Sequence, residues 1–169
     1  MSDAINVVYD CMIFLQAAAR PGHVHGTMRL VRDGRVTLCL SATILEEVRD
    51  VLTRPEVRAK FPALQPDHVG VFLNDLLSRA RMVQEVPPGF SLPRDKKDEP
   101  YIDLAIAAEA RYLVTWNDRH LTYLMRKDTP EGLGFCQRFP GICIIDPPSF
   151  MDEIGRITGD EAGASHPHP

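Results

Sequence analysis

The sequence has no excess of positive charge. Its 169 residues carry 19 Lys and Arg against 23 Asp and Glu, which gives a formal net charge of −4 and a pI near 5.8. This balance excludes proteins that hold nucleic acid through a broad positive field. Any contact with nucleic acid must be local and depend on small basic clusters, such as those that contain Arg94, Lys97 and Arg119.

Long apolar runs are also missing. The longest ones, such as the run that ends at Tyr9 and the run over 142–145, have the length of a strand and are far too short to cross a bilayer. Asp3 and Asn6 stand where a secretory signal would have a basic segment and a long apolar stretch. We therefore expect a cytoplasmic protein that has no membrane contact.

The cysteines show no paired spacing typical of a metal site. Three of them lie in or beside apolar, strand-like runs, and the fourth lies in a predicted helix. They are Cys11, Cys39, Cys143 and Cys136. We interpret all four as reduced thiols that pack in the interior.

Short apolar runs alternate along the chain with segments of helical spacing, of which 66–81 is the clearest. The strand-like runs are 5–9, 36–40, 82–86, 112–115 and 142–145. Alternation of this kind predicts an α/β domain with a largely parallel sheet. We expect one domain over 1–155, and a disordered tail over 156–169 because that segment is rich in Gly, Ala, His and Pro.

Acidic and amide side chains follow two of the predicted strands. Asp10 follows the first run, and Asn117 and Asp118 follow the run over 112–115. Ligands of open α/β sheets bind beyond the carboxyl ends of the strands, so these side chains are candidates for a site. Taken singly, an Asp in such a position is as consistent with a helix cap as with a metal ligand.

Two further acids lie on predicted helices. Glu47 falls at the edge of the apolar face of the helix in 41–52, where a carboxylate needs a base, a hydrogen bond or a cation. An intramolecular salt bridge is the simpler alternative. Asp98 precedes Glu99 and Pro100, and a helix that starts at Pro100 would make Glu99 the cap and leave Asp98 free. If these acids converge, a cation must offset their repulsion, and hard oxygen ligands suit Mg²⁺ or Mn²⁺.

Four segments of the chain together resemble the PIN-domain family. They are 8–12, 41–52, 97–108 and 112–118, and the similarity extends over about residues 5–150. The segments 121–125 and 129–132 are similar to the branch described as toxin components of toxin–antitoxin pairs. The resemblance implies a three-layer α/β/α sandwich around a central parallel sheet, and cleavage of single-stranded RNA with Mg²⁺ or Mn²⁺. It also implies a cognate antitoxin protein and a homodimer.

The resemblance also assigns residues. The predicted catalytic residues are Asp10, Glu47, Asp98 and Asp118, and the predicted metal ligands are these four and Asn117. Asn117 stands at the fourth acidic position of the family, and the adjacent Asp118 is the alternative for it. Thr115 matches a small hydroxyl residue that supports the site. Arg94, Lys97 and Arg119 are expected to contact the RNA backbone.

The chain departs from the family at the first motif. Cys11 and Met12 replace two polar residues that help to orient the first carboxylate. Losses of this kind lower metal affinity or activity by about 10- to 100-fold. A catalytically weak or inactive module that binds RNA or a protein is therefore the alternative. A phosphotransfer domain is less consistent, because Asp10 has no second Asp close to it in sequence.

Overall fold

Five short strands form one parallel sheet in the computed structural model, which describes the backbone of residues 4–163 and the side chains of residues 4–159. The strands are β1 (Asn6–Tyr9), β2 (Thr37–Leu40), β3 (Arg81–Met82), β4 (Tyr112–Val114) and β5 (Cys143–Ile145). Their order is β3-β2-β1-β4-β5, and every neighbouring pair is parallel. The predicted parallel sheet is confirmed.

Eight α-helices of the described chain flank the sheet and complete the predicted α/β/α sandwich. They are α1 (Cys11–Ala18), α2 (Gly26–Arg32), α3 (Ala42–Thr53), α4 (Pro55–Lys60), α5 (Pro66–Arg79), α6 (Glu99–Ala107), α7 (Pro130–Arg138) and α8 (Pro147–Gly163), with a 3₁₀ turn over Thr122–Met125. Consecutive residues of β1 and β4 are buried, as expected for parallel strands covered on both faces. No helix in residues 4–163 has both the length and the apolar character needed to span a bilayer.

The connection between the two halves of the sheet creates the edge at which the site lies. The chain runs from β1 outward to β2 and β3, and then returns to place β4 on the other side of β1. Such a reversal leaves a crevice at the carboxyl ends of the two central strands. Tyr9 pairs with Val114, and the backbone N–H of Asp10 donates to the carbonyl of Val114 at 3.1 Å. The residues that follow β1 and β4 are therefore neighbours.

Two predicted boundaries differ from the structure. The strand predicted over 82–86 is reduced to Arg81–Met82, since Gln84 and Glu85 are exposed at the edge of the sheet and the prolines that follow cannot continue a ladder. At the other end, the disorder predicted from residue 156 is wrong as far as Gly163, because α8 continues to that residue. The buried side chains of Phe150 and Ile154 anchor this helix. The rest of the predicted tail, 164–169, lies outside the described residues.

All four cysteines are free thiols. Cys39 is buried, whereas the other three are only half-buried. The prediction of free thiols is therefore confirmed, and the prediction of full burial holds for Cys39 alone.

The start of α7 is packed against the backbone of the preceding turn. Thr129 caps the helix through its hydroxyl, which accepts from the N–H of Gly132 and donates to the carbonyl of Arg126, both at 3.1 Å. A Cβ at position 132 would lie 1.9 Å from that carbonyl oxygen, so only glycine fits there. This contact fixes the chain at Arg126, beside a cleft described below.

We predict that Gly132→Ala destabilises the protein by about 1–3 kcal/mol, because the added methyl group must displace backbone. Gly134→Ala in the same helix is the matched control, since a Cβ there meets no atom within 4 Å. The control should be neutral or more stable by about 0.5–1 kcal/mol, as Ala favours helix over Gly. Chemical denaturation measures both variants, and equal stabilities would contradict the packing described here.

Candidate functional site

An acidic pocket opens at the carboxyl edge of β1 and β4. Asp10, Glu47 and Asp98, which are distant in sequence, all line it together with Asn117. Among the described side chains, none of the three acids forms an ion pair. Arg54 also lines the pocket, but its guanidinium binds an exposed carboxylate on α3. The pocket therefore collects negative charge that no described basic group pairs with.

Asp10 caps α1 and also faces the pocket. It is only 7% exposed, and its Oδ1 accepts from the N–H of Ile13 at 3.3 Å. Its Oδ2 accepts from the hydroxyl of Thr115, which follows β4. Burial raises the pKa of Asp10 above its ordinary value, although these hydrogen bonds act in the opposite direction. The carboxylate is thus rigidly held and poorly solvated.

A chain of hydrogen bonds links Asp10 to Asp98 across the end of β4. The hydroxyl of Thr115 donates to Asp10 and accepts from the N–H of Asn117 at 2.9 Å. The Nδ2 of Asn117 then donates to Oδ2 of Asp98 at 2.7 Å. An aspartate at position 117 would repel Asp98, whereas the amide supplies it with a donor.

Asp98 lies at the N-terminus of α6 without capping it. The helix begins at Glu99 and not at Pro100, so the prediction that Glu99 is the cap is wrong. Glu99 instead accepts from the N–H of Leu92 at 2.8 Å, which ties the preceding loop to the helix. Burial, and then repulsion from Asp95 and Asp10, raises the pKa of Asp98 to about 6.

Glu47 is held by a tyrosine and not by a base. The hydroxyl of Tyr101, a buried residue of α6, donates to Oε2 of Glu47 at 2.8 Å. The simpler prediction of a salt bridge for Glu47 is therefore wrong. The thiol of Cys11 lies near these groups, and burial, followed by the negative charges of Glu47 and Asp10, raises its pKa to about 12. Cys11 thus remains protonated and fills the pocket wall.

The other predicted residues lie outside the acidic pocket. Asp118 is exposed and lines a second cleft, which we call the basic cleft. The basic cleft is lined by Arg94, Asp118, Arg119, His120, Tyr123 and Arg126. The guanidinium of Arg94 lies 4.5 Å from the centre of the Tyr123 ring. Lys97 is exposed and lines neither the acidic pocket nor the basic cleft.

Sequence reasoning did not identify two residues that line the acidic pocket, Tyr101 and Trp116. Both had a signal in the sequence. Tyr101 lies one helical turn after Asp98, and Trp116 stands between Thr115 and Asn117. Tyr101 lies on the buried face of α6, but its hydroxyl reaches Glu47 on α3.

The donor set fits a hydrated divalent cation better than a caged one. No three Asp, Glu, His or Cys side chains in the described part of the chain are close enough together to enclose a metal ion. Mg²⁺ commonly keeps several waters and uses one or two carboxylates together with substrate phosphates. The acidic pocket offers carboxylates without a cationic partner, and burial raises the pKa of both Asp10 and Asp98. A bound cation would reverse that effect.

A protein-family model described as a PIN domain matches residues 6–119. This range is more than half of the chain and includes every residue that lines the acidic pocket. No curated protein matches the chain.

We predict that Asp98 makes the metal-free protein less stable as the pH rises from about 4 to 7. Its pKa is about 6 in the folded protein against an ordinary value of 3.8, so the folded state binds the proton more tightly than the unfolded state does. The stabilising contribution is therefore complete below about pH 4 and is lost as the pH rises through 6. Asp98→Asn, with no charge to bury, should raise the Tm by a few degrees at about pH 7.5.

The Tm values are measured with a chelator, which keeps the protein free of metal, and with a control variant. Asp152→Asn removes an exposed carboxylate on α8 and should leave the Tm unchanged at either pH. Thermal unfolding of the three proteins at about pH 4.5 and 7.5 gives the result. A Tm difference between Asp98→Asn and the wild type that is the same at both pH values would contradict the prediction.

We predict that Thr115→Val lowers the stability by about 1–3 kcal/mol, because it removes a hydrogen bond from buried Asp10 and an acceptor from the N–H of Asn117. Thr115→Ser keeps the hydroxyl and should lose about 1 kcal/mol or less. Denaturant unfolding of both variants measures the difference. If the valine variant is as stable as the serine variant, the hydroxyl of Thr115 does not stabilise the carboxyl edge of the sheet.

Proposed function

Because the chain belongs to the PIN domain family, we propose that it is a Mg²⁺- or Mn²⁺-dependent endoribonuclease that cleaves single-stranded RNA. Proteins with this domain are typically nucleases that use divalent metal ions. The observation that carries the proposal is the convergence of three acids, Asp10, Glu47 and Asp98, on one pocket in which they have no described basic partner. Such a concentration of charge is costly unless a cation offsets it.

In this proposal Asp10, Glu47 and Asp98 would hold a hydrated metal ion, in part through its water molecules. When bound, the ion would lower the pKa of a water and offset the negative charge that develops on the attacked phosphate. Thr115 keeps the carboxylate of Asp10 in place, and Tyr101 does the same for Glu47. We assign the fourth position to Asn117, since it lines the acidic pocket and binds Asp98.

The basic cleft is the proposed contact surface for the RNA backbone. It presents Arg94 and Arg119 beside the acidic pocket, and Asn117 joins the two because its Oδ1 accepts from the N–H of His120 at 3.1 Å. Phosphate contacts fix the register of a strand without reading its sequence. Lys97 is exposed on the loop that precedes Asp98, where it would meet a strand that extends further. Asp118 lines the basic cleft, and its proposed role is to limit how strongly that cleft binds phosphate.

The biological setting is also part of the proposal. We propose a single nuclease domain over 1–155 that acts in the cytoplasm as the toxin of a toxin–antitoxin pair, with a cognate antitoxin protein and a homodimeric state. The support is the similarity of segments 121–125 and 129–132 to that branch of the family.

The second candidate is a catalytically weak or inactive module that binds RNA or a protein. Two observations favour it. Met12, which replaces a polar residue of the family motif, lines the acidic pocket and is 48% exposed, and no described group of three ligands encloses a metal position. Calorimetric titration with Mn²⁺ separates the two candidates, since heat of binding that disappears in Asp10→Asn supports the nuclease. An absence of binding at millimolar metal supports the module.

For the nuclease, we predict that Asp10→Asn and Glu47→Gln each reduce Mg²⁺-dependent cleavage of single-stranded RNA by on the order of 100-fold or more. Asparagine still caps a helix, so Asp10→Asn should remain folded. Glu46→Gln is the matched control, because Glu46 is exposed on α3 next to Glu47 and lies outside the acidic pocket.

The assay follows a labelled RNA with added Mg²⁺, with Mn²⁺ and with a chelator, and circular dichroism checks the fold of each variant. The control should cleave at the wild-type rate. Undiminished cleavage by a folded Asp10→Asn protein would exclude the assignment of Asp10.

A further inference from the structure

An apolar groove continues from the rim of the acidic pocket. It is lined by Met12, Gln16, Arg20, His25, Phe61 and Trp116, with two smaller apolar residues. Met12 and Trp116 line both the apolar groove and the acidic pocket. The apolar groove is therefore continuous with the acidic pocket and offers a path for a chain that crosses it.

Trp116 is exposed and yet held in position. It is the only tryptophan of the chain, and 45% of it is exposed. It follows Thr115, which is fully buried, so its backbone is fixed at the end of β4. Its indole N–H donates to Oε1 of Gln16 on α1 at 3.0 Å, which satisfies the one polar atom of the ring and restrains its orientation. A large apolar ring that is both restrained and exposed is preorganised for stacking on a flat ligand.

We propose that Trp116 is a stacking platform for a nucleobase next to the phosphate that is cleaved, an inference that rests on the proposed function. Proteins that bind single strands without reading sequence place bases on aromatic side chains, because every base has a π face. Met12 and Phe61, which are 48% and 37% exposed, provide the apolar surface around the ring. The ligand is a single-stranded nucleotide and not a duplex, in which the faces of the bases are covered.

The charge of the protein strengthens this assignment. With a net charge of −4, the chain cannot obtain much affinity for RNA from its overall field. Base stacking provides affinity that does not depend on net charge. Arg20 and His25, which also line the apolar groove, lie where they can meet the phosphate of the next nucleotide.

Continuity with the acidic pocket favours a nucleotide over a protein partner. A protein that covered Met12 and Trp116 would also cover the rim of the pocket, since both residues line the two surfaces. A strand that is cleaved in the pocket has no such conflict, because its flanking base must lie somewhere along this rim.

Tryptophan fluorescence tests the stacking directly. Because Trp116 is the only tryptophan, any change in emission reports on this site. The experiment titrates the Asp10→Asn protein, which is expected to leave the ligand intact, with a short single-stranded RNA and with an abasic strand of the same length and charge. Quenching by the RNA and not by the abasic strand is the expected result. Equal quenching by both strands, or none by either, would overturn the proposal.

Steady-state cleavage by proteins that retain Asp10 gives a second measurement. Trp116→Leu should raise the KM for single-stranded RNA by about 5- to 100-fold, with a smaller effect on kcat, whereas Trp116→Phe should keep most of the affinity. Val71→Ala is the control, since Val71 is 67% exposed on α5 and lines neither surface.

The two measurements separate failure of this inference from failure of the proposed function. If the bases quench the emission of Trp116 but the wild-type protein cleaves no RNA, the proposed nuclease is wrong and the stacking platform is supported. If Trp116→Leu cleaves RNA normally and with an unchanged KM, the proposed nuclease is supported and the stacking platform is wrong. Loss of self-association in Trp116→Leu, with RNA binding unchanged, would overturn it in favour of an interface between two copies of the chain.

Discussion

Three carboxylates share a pocket, and hydrogen-bond donors alone restrain them in the described structure. Thr115 and the N–H of Ile13 hold Asp10, and Tyr101 holds Glu47. The acids and their donors lie after β1 and β4 and on α1, α3 and α6, so the pocket exists only when all of these elements are in place. The parallel pairing of β1 with β4 is the most important of these constraints, because it makes Asp10 a neighbour of Thr115. A donor stabilises a carboxylate without cancelling its charge, and the pocket therefore keeps its attraction for a cation.

Three consecutive residues at the end of β4 face three different surfaces. Trp116 lines the apolar groove, Asn117 lines the acidic pocket and Asp118 lines the basic cleft. The chain can do this because Thr115 is buried and its hydroxyl accepts from the N–H of Asn117, which turns the backbone sharply. One short turn thus borders surfaces suited to a base, to a metal ion and to a phosphate. In the proposed function, the base and the phosphate belong to the RNA strand and the metal ion is the cofactor.

Much of the architecture could be predicted from the sequence, because buried parallel strands are apolar along their whole length and leave a clear pattern. The strand pattern placed Asp10 at a strand end, and the helical spacing of 41–52 placed Glu47 at the edge of a helix face. The structure brings both to one pocket. That they bind metal stays a prediction. The directions of Asn117 and Asp118 could not be predicted, since adjacent residues in a turn obey no fixed period. The helical part of the segment beyond residue 156 was missed, because its composition does not reveal that Phe150 and Ile154 anchor α8 in the core.

Cys11 has a consequence for how the protein responds to oxidants. Peroxides and disulfides react with thiolates, and thiols attack them slowly while protonated. With a pKa raised to about 12, Cys11 has almost no thiolate at neutral pH. The sulfur that stands where the family has a polar residue is therefore expected to react slowly with oxidants. Burial, and then the negative charges of Glu47 and Asp10, keep this thiol protonated and so protect it.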